Sequence, residues 1–361
     1  MFGRLRERLR LFWLRYWLTG LTALITAAIG VMAIWGALER GKAISRVQNE
    51  FDNFANSLNA AGYDLAYDKL SFSRFSPWQA MRVENLRIYS LDGRNYWEWV
   101  CPELALSTEM WNADKIKLHL SSRQTIKHGL KTWDISLPES ENTLYFAKDG
   151  SLQSITLQAQ NITVDKLFTA EQFSLALQRA IPHQVQELSS SFNLIAEARR
   201  ISIDDMTGWP LNKQIDHLYL EADIIGMLEK QDIYSESVYN WIENGGNIEI
   251  RRMIINWKPL VLVGKGDLYF NEELEPKLSL NTSSIALIET LDRLNQNQML
   301  DDKGVFVAKI LLNNKAFKKK GTDPYLTVTT PLRMNKEQIL IENIPIKNFA
   351  PKQDHITDIK K

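Results

Sequence analysis

From residue 62 onward, apolar and polar residues trade places with a period of two, and this alternation restricts the chain more than any other feature. The clearest run is Leu260, Leu262, Gly264, Gly266, Leu268 and Phe270, followed by Leu278 and Leu280. Side chains two apart in an extended strand share a face, so the pattern predicts half-buried β-strands with one apolar side. Tyr63, Leu65 and Tyr67 follow the same rule, as do Met81 and Val83, Leu86 and Ile88, Trp97 and Trp99, and Leu104 and Leu106. So do Ile116, Leu118 and Leu120, then Trp133, Ile135 and Leu137, and Ile155, Leu157 and Ala159. Asp92-Gly93 and Asp149-Gly150 read as tight hairpin turns. The expected fold class is mainly β (α+β), a large curved antiparallel sheet with a few edge helices.

The helices are expected in a few places. Thr169 reads as a cap for a helix carrying Phe173, Leu177 and Ala180 and stopped by Pro182. Tyr234–Asn244 reads as a second, ended by Gly245-Gly246, and Ile285–Leu294 as a third. Strands are expected at Phe192–Ala198, Ile201–Ile203, Ile215–Ile224, Val305–Leu311, Tyr325–Thr330 and Ile339–Ile346.

The N-terminus carries a different signal. Arg4, Arg6, Arg8, Arg10 and Arg15 precede an uncharged apolar run from Tyr16 to Leu38. As a helix rising about 1.5 Å per residue, that run would reach roughly 34 Å, enough to cross a hydrocarbon core of about 30 Å. Trp13, Tyr16, Trp17 and Trp35 suit the two interfaces, and the arginine excess places the N-terminus in the cytoplasm. A cleaved signal peptide is the competing reading. Its apolar core is usually shorter, about 7–15 residues, and is followed by a small-x-small site. Here Ala28-Ile29-Gly30 falls inside the run, which favours an uncleaved anchor. Thr22, Thr26 and Gly30 form a small-xxx-small ridge.

The expected organisation is a cytoplasmic basic segment (1–15), a transmembrane anchor (16–38), a linker helix (43–61), a β-rich body (62–347) and a polar tail (348–361). A subdivision of the body is expected near 165–245. The linker helix rests on Ile44, Val47, Phe51, Phe54 and Leu58 at three- and four-residue intervals.

Formal net charge is zero, which argues against nucleic acid as a partner. Cys101 is the sole cysteine, so no intrachain disulfide can form, and its neighbours Trp97, Trp99 and Val100 suit a buried thiol. His119, His128, His183, His217 and His355 match no metal-binding spacing. The adjacent pairs Asp204-Asp205 and Asp301-Asp302 would point to opposite faces of an extended chain. Ser189-Ser190-Ser191 lacks a nucleophile-elbow context. Gly264-Lys265-Gly266 lacks the P-loop spacing and fits a strand position of close backbone approach or a bulge. Lys318-Lys319-Lys320 reads as a solvated loop or a weak contact with anionic headgroups. No catalytic residue, cofactor site or metal site is expected.

What remains is the apolar strand face. A second layer could cover it, or it could form a groove for acyl chains lined by Leu260, Leu262, Leu268, Phe270, Leu278 and Leu280. Alternation is the same in both cases.

These residues also carry a family resemblance. The segment Gly245-Gly246-Asn247-Ile248-Glu249-Ile250, then Ile254-Ile255-Asn256-Trp257-Lys258-Pro259-Leu260 and on to Leu268, resembles the core of a bacterial group of membrane-anchored proteins of unknown function related to the AsmA-like envelope superfamily. Pro331-Leu332-Arg333 and Ile339–Ile346 are similar too, and the resemblance spans about residues 15–347. It departs at Phe75-Ser76-Pro77-Trp78, where Arg74 stands in place of a glycine and Ser76 splits a Phe-Pro step. The resemblance implies a single inner-membrane anchor, a periplasmic β-rich body, and a non-catalytic role in lipid binding or envelope biogenesis, with phospholipid or other envelope proteins as partners. The alternative is a structural or regulatory membrane protein acting through protein–protein contacts.

Overall fold

The computed structural model describes residues 55–56, 58–59, 62–72, 79–90, 96–109, 112–147, 152–165, 167–180, 190–203, 211–226, 240–271, 275–318, 328–335 and 338–348. The expected anchor, most of the linker helix, both Asp-Gly turns, Pro182 and the polar tail lie outside these residues. Among them, no helix is long and apolar enough to cross a membrane.

The protein is mainly β, and the registered ladders are antiparallel. Two compact units are distinguished. Among the described residues, unit 1 takes in those up to Ile135 together with Glu141–Ile155, and unit 2 takes in Ser136–Ser140 and those from Thr156 on.

Unit 1 is organised by two long strands, β3 (Gln79–Ser90) and β4 (Trp97–Glu109). The early half of β3 pairs with β2 (Lys69–Phe72), and the late half with β1 (Tyr63–Ala66). β4 divides likewise: residues 97–100 pair with β6 (Arg123–His128), and residues 104–109 with β5 (Asn112–Leu120). β5 in turn pairs with β8 (Glu139–Phe146), which follows β7 (Lys131–Ser136). The change of partner coincides with Asn85, whose φ of 52° breaks the extended run. Met81 and Val83 are buried before Asn85, and Leu86 and Ile88 after it. The broken alternation in the sequence is therefore one strand whose side-chain phase changes at Asn85.

Unit 2 is a meander. β9 (Leu152–Val164) pairs with β10 (Phe168–Arg179). Each strand then pairs with the next: β11 (Ser190–Ile203), β12 (Gln214–Ile225), β13 (Asn247–Trp257), β14 (Leu260–Phe270), β15 (Pro276–Ile285), β16 (Val328–Met334), β17 (Gln338–Ile341) and β18 (Ile344–Asn348). Two helices interrupt it after β15: α1 (Leu287–Gln296) and α2 (Asp302–Lys318).

Four expectations are corrected here. The helix read from Thr169 is strand β10. Phe173 and Leu177, four apart, share a strand face as well as a helix face, and Leu175 between them completes the period of two. Pairing with β11 along its length fixes the outcome. The strand read at Val305–Leu311 is part of helix α2, where Val305, Ala308 and Leu312 are buried at helical spacing. Ile339–Ile346 is a hairpin, turned by Glu342 and Asn343, both at positive φ. Phe192–Ala198 and Ile201–Ile203 form one strand, broken in phase by Arg200 at φ 48°. The helix expected to end at Gly245 is present over residues 240–243, where Trp241 is buried and the Gly246 amide donates to the Trp241 carbonyl.

Candidate functional site: the apolar face of unit 2

The register sorts the side chains of unit 2 onto two faces. Leu268 lies opposite Ile248 and Leu278, Gly266 opposite Ile250 and Leu280, and Leu262 opposite Ile255 and Ser284. Across β12, Ala222 lies opposite Ile250, and Leu220 opposite Met253. Leu194 and Ala196 then continue the face on β11, and Leu175 and Leu177 on β10. One side of six consecutive strands is thus almost wholly apolar, roughly 25 Å across at strand spacing.

The opposite face carries the charges, together with the exposed Ile195, Val263 and Tyr269. Arg251 bridges Glu221 at 3.6 Å and Asp223 at 3.1 Å. Arg199 Nε and His217 Nε2 both meet Glu197 Oε1, at 2.7 and 2.8 Å. Burial works against the Glu197 charge, but these hydrogen bonds outweigh it and hold the carboxyl below its ordinary value of 4.5. A carboxylate depressed in the folded state gives stability that is complete above its unfolded pKa and is lost as pH falls through the folded one. Glu197→Gln is therefore expected to be less stable than wild type near neutrality, with the gap closing below about pH 4.5. Chemical denaturation at a series of pH values measures it, and a gap that widened in acid would contradict the assignment.

All six residues read from the sequence as groove lining lie on the apolar face, but in different surroundings. Leu260 packs on a core with α1 and α2, formed by Leu287, Leu291, Val305, Ala308, Leu312, Val328, Ile341 and Ile346. Leu262 is buried. Leu280, 1% exposed, anchors a second cluster with Ala222 and Ile250, rimmed by half-buried Leu220, Ile248, Met253, Leu268, Leu278 and Leu332. That cluster draws only on β12–β16 and contains no helix residue. Phe270 meets the Trp241 ring edge-on at 6.3 Å. Helices α1 and α2 therefore pack on this face toward the end of the meander, against β16–β18 and Leu260 of β14. Leu268, Phe270 and Leu278 are half-buried, as are Leu175, Leu177, Leu194 and Leu220 on β10–β12. The contribution of β10 was hidden by its helical reading.

Gly266 explains how these strands approach so closely. A Cβ there would collide with the Ser279 carbonyl oxygen, and the β13–β14 register shifts beside it between Ile250 and Met253. The close-approach reading of Gly264-Lys265-Gly266 holds.

Other groups of chemical interest are engaged in structure. His119 Nε2 lies 3.2 Å from Ser107 Oγ. Among the described residues, no three His, Cys, Asp or Glu side chains converge. A pit of about 340 Å³ beside the β13–β14 turn is lined by Leu211, Asn212, Lys258, Pro259 and Arg293. Its two cations are already paired, Lys258 with Asp216 and Arg293 with Glu289. Cys101 is fully buried, its Sγ donates to the Glu103 carbonyl at 3.2 Å, and burial pushes the thiol pKa up. Since the thiolate is the reactive form, Cys101 is expected to resist alkylation in the folded protein and to react once unfolded. A time course with iodoacetamide, with and without denaturant, checks this; rapid modification of the folded chain would contradict it.

The fold and this face define a mainly antiparallel β-protein with one charged and one apolar sheet surface. Residues 42–348 match a family described as uncharacterized protein conserved in bacteria (DUF2125), and the chain belongs to that family. No curated protein and no solved structure matches it.

Proposed function

We propose that this protein is a non-catalytic, membrane-anchored lipid-binding protein of the bacterial envelope, related to the AsmA-like superfamily. In this reading residues 16–38 span the inner membrane, the N-terminus is cytoplasmic, and the body lies in the periplasm. The apolar face of unit 2 acts as a curved groove for phospholipid acyl chains. One observation carries the proposal: among the described residues, the Leu280 cluster draws on strands β12–β16 alone, so that one face of the sheet gathers apolar side chains without α1 or α2. A mostly apolar sheet face with polar groups at its border is a setting in which acyl chains bind. The charged opposite face supplies solubility and gives the sheet a defined inner and outer side.

The reading needs no cofactor and no catalytic group. Its specificity would come from the width of the apolar strip and from polar groups at its border. It is tested by expressing residues 40–361, purifying them without detergent, and measuring bound lipid by mass spectrometry. Near-stoichiometric phospholipid is the expected result. A folded, lipid-free body that also fails to take up phospholipid from vesicles would overturn it, and would favour action through protein–protein contacts instead.

A further inference from the structure

Helix α2 carries apolar residues on its outward side as well as on its core side. Val305, Ala308 and Leu312 face the core, yet Phe306, Val307, Ile310 and Leu311 on its other side are 67%, 45%, 46% and 38% exposed. Phe306–Ile310 and Val307–Leu311 are both four apart, so they form two adjacent ridges on one outward surface. A surface helix of a globular domain normally places polar residues there. Neighbouring α1 does so: it buries Leu287, Thr290 and Leu291, and its Arg293–Glu289 pair lies exposed.

The charge on α2 is one-sided. Its residues include Lys303, Lys309, Lys315 and Lys318 against Asp302, a net of three positive charges. Lys309 is tied to Asp292, and Lys303 is exposed beside the apolar ridge.

We infer that the outward face of α2 docks on an anionic phospholipid bilayer. Phe306 and Ile310 would enter the acyl boundary and Lys303 would sit at headgroup level, as in interfacial helices. Charge decides against a second copy of the chain, because two-fold pairing of this helix would bring like charges together. Size argues the same way: four side chains on one helix fall well short of the roughly 1,200 Å² of a specific protein interface. The inference concerns α2 alone and stands whether or not the sheet holds lipid.

The test places an environment-sensitive fluorophore on the full-length chain at Phe306→Cys, at Ile310→Cys, or at Lys265→Cys on the charged sheet face. Wild type labelled in parallel gives the Cys101 background. Each protein is reconstituted in phosphatidylcholine vesicles with and without phosphatidylglycerol, and brominated acyl chains serve as the quencher. Positions 306 and 310 are expected to show blue-shifted emission and bromine quenching in the anionic vesicles, and position 265 neither. Lys303→Gln, which leaves the core untouched, is expected to weaken the docking about fivefold. Solvent-like emission at 306 and 310 in both vesicles would overturn the inference. So would protection that follows protein concentration instead of lipid composition, since that marks a contact between chains.

Discussion

Leu312→Ala is expected to lower the unfolding free energy of the protein by about 2–5 kcal/mol. Leu312 is completely buried and belongs to the core that joins α1 and α2 to β16, β17 and β18. Truncation removes transfer energy and leaves a cavity that backbone on both sides of the core prevents from collapsing. The docking of α2 is also specified by its first turn. The Asp301 side chain accepts from the Lys303 amide at 3.1 Å, and the Asp301 amide donates to the Ile346 carbonyl at 2.9 Å. At Gly304, a Cβ would collide with the Pro345 carbonyl oxygen, so Gly304→Ala should cost a further, separate penalty of about 1–3 kcal/mol. Ile310→Ala, on the exposed side of the same helix, should stay within about 0.5 kcal/mol of wild type. Denaturant melts of the three variants measure the contrast. Equal effects at Leu312 and Ile310 would mean that the core is assigned to the wrong side of α2.

The second large effect concerns binding. Replacing Leu268 and Leu278 together by Asp is expected to abolish retained lipid while the body still folds. The two residues lie opposite one another on β14 and β15, and both are half-buried at the rim of the Leu280 cluster. Their carboxylates would keep access to water in the empty protein, which limits the folding penalty. A bound acyl chain would strand those charges in an apolar contact, and that cost falls on binding. Circular dichroism reports the fold, and lipid mass spectrometry the occupancy. Unchanged occupancy in the folded double variant would remove this strip from any lipid site.

Much of the sheet was legible because period two is an unambiguous signal when it runs long. β14 could be read from Leu260 to Phe270 without help, and the phase break at Asn85 was visible as Met81 and Val83 followed by Leu86 and Ile88. The failures occurred where spacing serves both structures. Phe173 and Leu177 fit a helix or a strand, and neighbouring β11 resolved the choice. The Val305–Leu312 run, interrupted by Lys309, contains both periods, and what favours the helix is the Asp301 cap with Gly304 beside β18. The candidate site was legible only in part. Alternation identified which residues share the apolar face, but not which of them other elements cover. Leu260 and Leu268 are equivalent in the sequence, yet only Leu260 packs on the helix core.

The most direct test of lipid binding compares the two faces of the same strands. A photo-crosslinking amino acid is placed in the full-length chain, in cells, at Leu220, Leu268 or Leu278 on the apolar face and at Glu221, Lys265 or Asp267 on the charged face. After irradiation, mass spectrometry identifies the adducts. The account predicts phospholipid adducts at 220, 268 and 278 and none at 221, 265 and 267. Protein adducts in place of lipid on the apolar face, or equal lipid labelling of both faces, would contradict it.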